Sequence, residues 1–74
     1  MIGKQKYDSI DIGDLVSWKT LSNLETKNYG IVLGKFILKK DNRRSYFIRV
    51  ANPKLNRIEN ILAVIVKIEN KSTT

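Results

Sequence analysis

Residues 29–51 decide the fold, and their sequence is YGIVLGKFILKKDNRRSYFIRVA. Two apolar segments, Tyr29–Leu38 and Ser45–Ala51, are separated by a polar stretch with Asp41-Asn42 near its middle. In the second segment, successive side chains alternate with the period of two that is typical of a strand. Asp and Asn favour tight turns because their short polar side chains bond the nearby backbone. The stretch therefore predicts a β-hairpin with Asp41-Asn42 at its tip.

The first strand of this hairpin is expected to be apolar on both faces. Strand alternation assigns Val32, Phe36 and Leu38 to one face, opposite Tyr29, Ile31, Leu33 and Ile37. Gly34, in the middle of the strand, predicts a β-bulge or a sharp bend, because a residue without a Cβ relieves crowding there. Such a strand is either covered on both sides or bends from one sheet to another.

One further strand is predicted before the hairpin and two after it. The first is Asp14–Lys19, in which Val16 and Trp18 share a face and are expected to be core residues. The stretch that follows it, Thr20–Asn28, is polar and is expected to be a long loop folded over one edge of the core, with a short helix as the alternative.

The segment after the hairpin, residues 57–69, is too long for one strand of so small a domain. We divide it into a strand Arg57–Ile61, a tight turn near Leu62-Ala63-Val64, and a last strand Ile65–Glu69. A helix is the alternative, because apolar residues from Ile61 onward also recur at helical spacing. The density of β-branched residues favours the strands.

Five short strands predict an all-β fold, and their number and spacing indicate a small β-barrel. The 74 residues suffice for one domain. We expect an N-terminal lead-in over residues 1–11, the barrel over residues 12–69, and a flexible tail over residues 70–74.

The composition limits the chemistry that this domain can perform. The chain has no cysteine for a disulfide or a thiolate metal site, and no histidine, the commonest metal ligand and general base. Asp8, Asp11 and Asp14 recur at every third residue, whereas a calcium loop needs ligands at alternate positions. We therefore expect a protein that is not an enzyme, with no catalytic residue, no cofactor and no metal site.

The sequence contains no pattern typical of a membrane protein or of a secreted one. The longest apolar run, Ile61–Val66, has six residues, against the roughly 18 that a membrane span needs. The charged N-terminus is not followed by the apolar segment of a signal peptide. We expect a soluble protein of the cytoplasm, or of a virion assembled there, without a membrane partner.

Four short motifs together resemble a known family of small barrels. They are IGDLVSW at residues 12–18, YGIV at residues 29–32, YFIRV at residues 46–50 and IVKIE at residues 65–69. This pattern resembles the small SH3-like proteins that are common in tailed bacteriophages, and more weakly the KOW and Tudor-type barrels. The resemblance covers residues 12–69. It implies a five-stranded, partly open SH3-like barrel and a phage-encoded origin, and it implies no reaction.

The charge of the chain is concentrated in one segment. The formal net charge is +7, and residues 35–57 carry all of the excess, with Asp41 as their only acidic residue. Their eight cations are Lys35, Lys39, Lys40, Arg43, Arg44, Arg49, Lys54 and Arg57. We expect four of them (Lys39, Lys40, Arg43 and Arg44) around the hairpin tip, and Arg49, Lys54 and Arg57 toward the opposite end. A concentrated basic surface predicts a polyanionic partner, either nucleic acid or an acidic protein.

Two aromatic residues next to this basic segment are candidates for stacking on nucleic-acid bases. Tyr46 and Phe47 are adjacent in the strand, so they point to opposite faces and at least one is expected in the core. Two alternatives to a polyanion-binding surface stay open. The lysines could serve only to prevent aggregation of sheet edges, and the apolar excess could indicate a structural or assembly protein, such as a minor virion component or a homo-oligomer.

Overall fold

The computed structural model describes residues 3–20 and 23–71. Its elements are α1 (Lys4–Ser9), β1 (Leu15–Thr20), β2 (Asn23–Lys40), β3 (Arg43–Asn52), β4 (Arg57–Leu62), a 3-10 turn (Ala63–Ile65) and β5 (Lys67–Asn70). Neighbouring strands are antiparallel in one sheet, in the order β4-β3-β2-β1-β5. The edges are β4 and β5, so the sheet is open. The predicted all-β class with five strands in a partly open arrangement is confirmed, and the sheet does not close into a barrel.

The long strand β2 takes part in two hairpins in succession. Its first part pairs with β1 from Asn23 to Ile31, and its second part pairs with β3 from Ile31 to Lys40. The core therefore draws on each of the first four strands and on the segments beside them. Its buried apolar residues are Ile10, Val16, Trp18, Val32, Tyr46, Ile48, Val50, Ile61, Ala63 and Val66. The predicted core positions of Val16 and Trp18 are confirmed.

A β-bulge at Leu33 exchanges the two faces of the second part of β2. The register passes from the pair Val32–Val50 to the pair Gly34–Arg49, which leaves Leu33 without a partner in β3. The bulge predicted near Gly34 is confirmed. A shift of one residue moves every later side chain to the other face of the strand. Phe36 therefore points away from the core that Val32 enters, and the prediction that Val32, Phe36 and Leu38 share a face is wrong.

The tip of the β2–β3 hairpin is the predicted two-residue turn. Asp41 and Asn42 have φ angles of 52° and 62°, so both lie in the left-handed region, and Lys40 pairs directly with Arg43. Two consecutive left-handed residues are typical of the type I′ turn, whose twist matches that of the strands it joins. Asp and Asn tolerate this backbone better than other non-glycine residues. The prediction of Asp41-Asn42 as the tip is confirmed.

The predicted loop Thr20–Asn28 is largely strand. β2 begins at Asn23, which pairs with Thr20, and Asn28 pairs with Trp18. The prediction of a loop here is wrong. The segment lacks the apolar alternation of a half-buried strand, and it is a strand only because it pairs with β1. Residues 21 and 22, where the predicted loop also falls, lie outside the described residues.

The division of the last apolar segment into two strands is confirmed. β4 and β5 are separated by a single 3-10 turn, Ala63–Ile65, close to the predicted turn. The helix considered as the alternative over this segment is wrong. Its apolar residues alternate in β4 between the core, which receives Ile61, and solvent, which Leu62 faces.

The N-terminal lead-in contains a helix that sequence reasoning missed. Within α1, Lys4 Nζ donates a hydrogen bond to Asp8 Oδ2 at 2.8 Å, one helical turn away, and this bond raises the pKa of Lys4. Tyr7 packs on the core beside Tyr46, with the two ring centroids 5.2 Å apart. Within residues 3–20 and 23–71, no helix has the length and apolar character required to cross a membrane.

The carboxylate of Asp14 is fully buried and connects β1 to the end of the described chain. Asp14 Oδ2 accepts hydrogen bonds from the backbone N–H of Asp11 at 2.9 Å and from Lys71 Nζ at 2.6 Å. Lys71 Nζ also donates to Asp11 Oδ2 and to the carbonyl oxygen of Ser9. The hydrogen bonds to Asp14 and Asp11 raise the pKa of Lys71. Of the predicted tail, Asn70 thus ends β5 and Lys71 binds the segment that leads into β1, while residues 72–74 lie outside the described residues.

Gly30 lies where the ring of Trp18 crosses β2. A Cβ added to Gly30 would be 2.9 Å from the carbonyl oxygen of Ala51 and 3.1 Å from Cη2 of Trp18. The close approach of ring and backbone, and not an unusual dihedral angle, requires glycine at this position.

Candidate nucleic-acid interface

The β2–β3 hairpin extends beyond the strands on either side of it. β1 pairs with β2 only as far as Ile31, and β4 pairs with β3 only from Phe47 onward. Residues 37–46 therefore form a two-stranded ribbon, with Ile37 opposite Tyr46 at its base and the turn at its end. This geometry presents the side chains of residues 37–44 to solvent, whereas Tyr46 at the base of the ribbon is buried in the core.

One face of this hairpin carries both cations and aromatic rings, and we call it the outer hairpin face. The residues on it point away from the core, because they alternate with the buried Tyr46, Ile48 and Val50 of β3 or pair with residues that do. The outer hairpin face consists of Gly34, Phe36, Leu38 and Lys40 of β2 and Arg43, Ser45, Phe47 and Arg49 of β3.

Two phenylalanine rings stack at the centre of the outer hairpin face. Phe36 and Phe47 are directly paired residues, and their rings are nearly parallel, 6° apart, with centroids 5.2 Å from each other. Both side chains are half-buried. The guanidinium of Arg49 lies 5.8 Å from the centroid of Phe36, and its Nε donates to Oδ1 of Asn60 at 3.3 Å. The hydrogen bond to β4 thus helps to hold a cation beside the aromatic pair.

The aromatic pair separates two shallow grooves. The groove toward the tip is lined by Leu38, Lys40, Asp41, Arg43, Ser45 and Phe47. The groove on the other side is lined by Leu33, Gly34, Lys35, Phe36 and Arg49. Gly34 keeps the second groove open, since a Cβ added there would meet no atom within 4 Å. Each groove therefore combines one aromatic ring with at least one cation of the outer hairpin face.

The four predicted tip cations lie at the tip, in two like-charged pairs. Lys39 is directly opposite Arg44, and Lys40 is directly opposite Arg43. All four side chains are exposed, and none of them forms a salt bridge with a carboxylate of the described residues. Like charges at directly paired positions destabilise a hairpin. The arrangement concentrates positive charge at the expense of local stability.

The ion pairs of the described residues lie elsewhere. They are Lys4–Asp8, Lys27–Glu69, Arg57–Glu59, Lys71–Asp11 and Lys71–Asp14. Ser17 also donates a hydrogen bond to Glu69, and this bond, more than the neighbouring lysines, lowers the pKa of that carboxyl. Because the carboxylates in these ion pairs are balanced by cations outside residues 35–54, the excess positive charge stays on the hairpin.

Three of the eight predicted cations do not join the others on the outer hairpin face or at the tip. The bulge turns Lys35 toward α1, where its Nζ donates to the carbonyl oxygen of Tyr7 at 2.9 Å and lies 4.4 Å from the ring centroid. Lys54 and Arg57 lie in and beside the β3–β4 turn, at the opposite end of β3 from the tip. Arg57 is paired there with Glu59 at 3.4 Å.

Arg49 and the aromatic residues lie differently from their predicted places. Arg49, predicted near the opposite end with Lys54, lies beside the aromatic pair at the centre of the outer hairpin face. Tyr46 is a core residue only 5% exposed, so it offers no ring face to a ligand. Phe36 takes its place in the site. The signal for Phe36 is in the sequence: it is five residues before Asp41, and Phe47 is five after Asn42, so a two-residue turn pairs them.

Comparison with protein-family models, with curated proteins and with solved structures finds no match for this chain. Within residues 3–20 and 23–71, no three carboxylates converge to form a metal-binding group.

Proposed function

We propose that this protein is a non-enzymatic binding module whose basic β-hairpin binds nucleic acid. The observation that carries the proposal is the double row of like charges, Lys39 opposite Arg44 and Lys40 opposite Arg43, on a ribbon that extends into solvent. The pair Lys40–Arg43 lies on the outer hairpin face and the pair Lys39–Arg44 on the opposite face. Each pair destabilises the hairpin, and a polyanion that wraps around the tip would remove the repulsion in both.

The aromatic pair favours nucleic acid over an acidic protein as the partner. Phosphates bind Lys and Arg whatever the sequence of the bases, and the half-buried aromatic rings beside them offer stacking surfaces. An acidic peptide would satisfy the cations but would leave Phe36 and Phe47 without a matching group. On the resemblance described above, we further propose that the chain is encoded by a tailed phage.

Binding to nucleic acid is expected to weaken steeply with salt. Four phosphate contacts give a slope of about −3 to −3.5 for log K against log salt concentration, because each contact releases condensed counterions. The affinity for a fluorescein-labelled 20-nucleotide DNA should therefore fall about 50- to 150-fold between 50 and 200 mM NaCl. Fluorescence anisotropy measures the affinity at each salt concentration, for this DNA and for an RNA of the same sequence. Absence of binding at 50 mM NaCl would remove the nucleic-acid proposal, and poly-glutamate bound more tightly than DNA would favour an acidic protein.

The second candidate function is a structural or assembly protein, and the exposed apolar surface favours it. Large hydrophobic residues are exposed on β4 and the 3-10 turn, where Ile58 is 62% exposed and Ile65 is 51% exposed. β4 is also an open sheet edge, which can pair with another chain.

Self-association through this edge predicts a dimer or a larger species at micromolar concentration. Light scattering coupled to size exclusion measures the mass, which is 8.5 kDa for one chain. Replacing Ile58 with lysine should return such an oligomer to the monomer, and replacing Ile12, which is equally exposed but not on β4, should not. A monomer for the unmodified chain at 100 μM would contradict homo-oligomer assembly.

A further inference from the structure

We infer that the outer hairpin face binds single-stranded nucleic acid, with one base in each of the two grooves beside the Phe36–Phe47 pair. This inference rests on the proposed function and names its ligand class and its base sites. In a duplex the faces of the internal bases are covered by their neighbours, so an unpaired strand stacks its bases on protein rings at a much lower cost. A surface that only neutralised phosphates would have no use for two half-buried aromatic rings at its centre.

The grooves have the parts that an unpaired nucleotide requires. In the groove toward the tip, Phe47 supplies a ring while Lys40 and Arg43 supply charge. In the other groove, Phe36 supplies the ring, and Arg49, held by Asn60, supplies charge. Each groove thus contains one aromatic ring and at least one cation. A nucleic-acid strand that crosses the aromatic pair would place one of two consecutive bases in each groove.

The spacing along β3 fits a strand that lies along the hairpin. Arg43 precedes Phe47 by four residues and Arg49 follows it by two, which corresponds to about 13 Å and about 7 Å at the usual rise of a strand. Cations therefore flank the ring pair on both sides along the same direction. A phosphate backbone running along the hairpin meets charge on one side of the aromatic pair at Arg49, and on the other side at the tip.

Gly34 supports the base site in the second groove. Its position in β2 lies opposite Arg49, and the space above it is free of protein atoms to 4 Å. Its φ is not in the left-handed region, which contains only Gly3 and Gly13 among the described glycines. The backbone therefore does not require glycine there. Any larger side chain would occupy the groove between Phe36 and Arg49.

The test compares Phe47→Leu, which removes a stacking ring, with Phe47→Trp, which retains one. Leucine should weaken binding to the single-stranded 20-mer about 5- to 150-fold, the range for loss of one stacked base. Tryptophan should restore it, and binding of inorganic polyphosphate, which has charge but no bases, should change less than twofold. Single-stranded DNA and RNA are tested against the duplex of the same sequence.

A second variant covers the case in which Phe47→Leu does not fold. Gly34→Leu fills the groove beside Phe36 without removing any contact, and it should weaken single-strand binding at least fivefold at unchanged polyphosphate affinity. The inference is overturned if the duplex binds as tightly as the single strand, or if both variants bind the single strand like the unmodified protein. In either case, salt-dependent binding still supports the proposed function. If no nucleic acid binds at 50 mM NaCl, the proposed function and the inference fail together.

Discussion

Replacing Lys40 and Arg43 with glutamate is expected to weaken nucleic-acid binding at least 100-fold at 50 mM NaCl. The two residues are directly paired on the outer hairpin face, and the change converts a cation pair beside Phe47 into an anion pair. Two phosphate contacts are lost, and the new carboxylates repel the backbone that the tip would otherwise attract. The slope of log K against log salt should become shallower by about 1.5–2. Anisotropy with the labelled 20-mer measures both quantities.

A matched control separates the position of the charge from its amount. Lys54→Glu with Arg57→Glu lowers the formal net charge from +7 to +3, as does the change at the tip (7 − 4 = 3). Both control residues are exposed and lie at the opposite end of β3. The control should weaken binding less than tenfold. Equal losses in the two double variants would mean that the tip has no special role and that only the overall charge attracts the ligand.

Gly30→Ala is expected to destabilise the domain by about 1–3 kcal/mol, the usual penalty for an extra methyl group in a closely packed region. The new Cβ would meet the carbonyl oxygen of Ala51 at 2.9 Å, and a backbone atom of a paired strand cannot move aside without breaking the sheet. The ring of Trp18 blocks the other direction. For a domain of this size, the melting temperature should fall by roughly 4–8 °C per kcal/mol. Thermal unfolding followed by Trp18 fluorescence measures the change.

Gly34→Ala is the control for this substitution, since it adds the same methyl group to the same strand. Its Cβ would meet no atom within 4 Å, and alanine restricts the unfolded chain more than glycine does. We expect stability to be unchanged or raised by up to about 1 kcal/mol. If Gly30→Ala melts at the same temperature as Gly34→Ala, the contact of Trp18 with the β2 backbone is looser than described.

The hairpin could be predicted from the sequence because its signals are local. Asp41-Asn42 is flanked by apolar segments, and Gly34 marks an irregularity, so the turn and the bulge both follow from neighbouring residues. The sign and place of the charge excess also follow from the sequence. The sequence does not reveal the face on which each side chain lies after Leu33, because a bulge displaces the alternation by one and its exact residue depends on pairing with β3.

The composition of the candidate site depends on that same shift. Counting alternate residues through the bulge joins Phe36 to Val32 in the core, whereas the structure pairs Phe36 with Phe47 on the outer hairpin face. Lys35 moves in the opposite sense, from the predicted binding surface to a contact with Tyr7. The first part of β2 escapes prediction for another reason. Its polar residues become strand through hydrogen bonds to β1, which is long-range information that local propensity does not contain.

Because β2 is shared by both hairpins, the two halves of the sheet are not independent folding units. Ile31 of β2 is the last residue that pairs with β1 and the first that pairs with β3. Disruption of β2 at this residue would therefore remove the partner of both strands. The domain should therefore lose its structure in a single cooperative step. The ribbon beyond Ile37 is the exception, since it can fray while the shared part of β2 stays intact. A binding partner would then contact a stable sheet from which a flexible two-stranded ribbon extends.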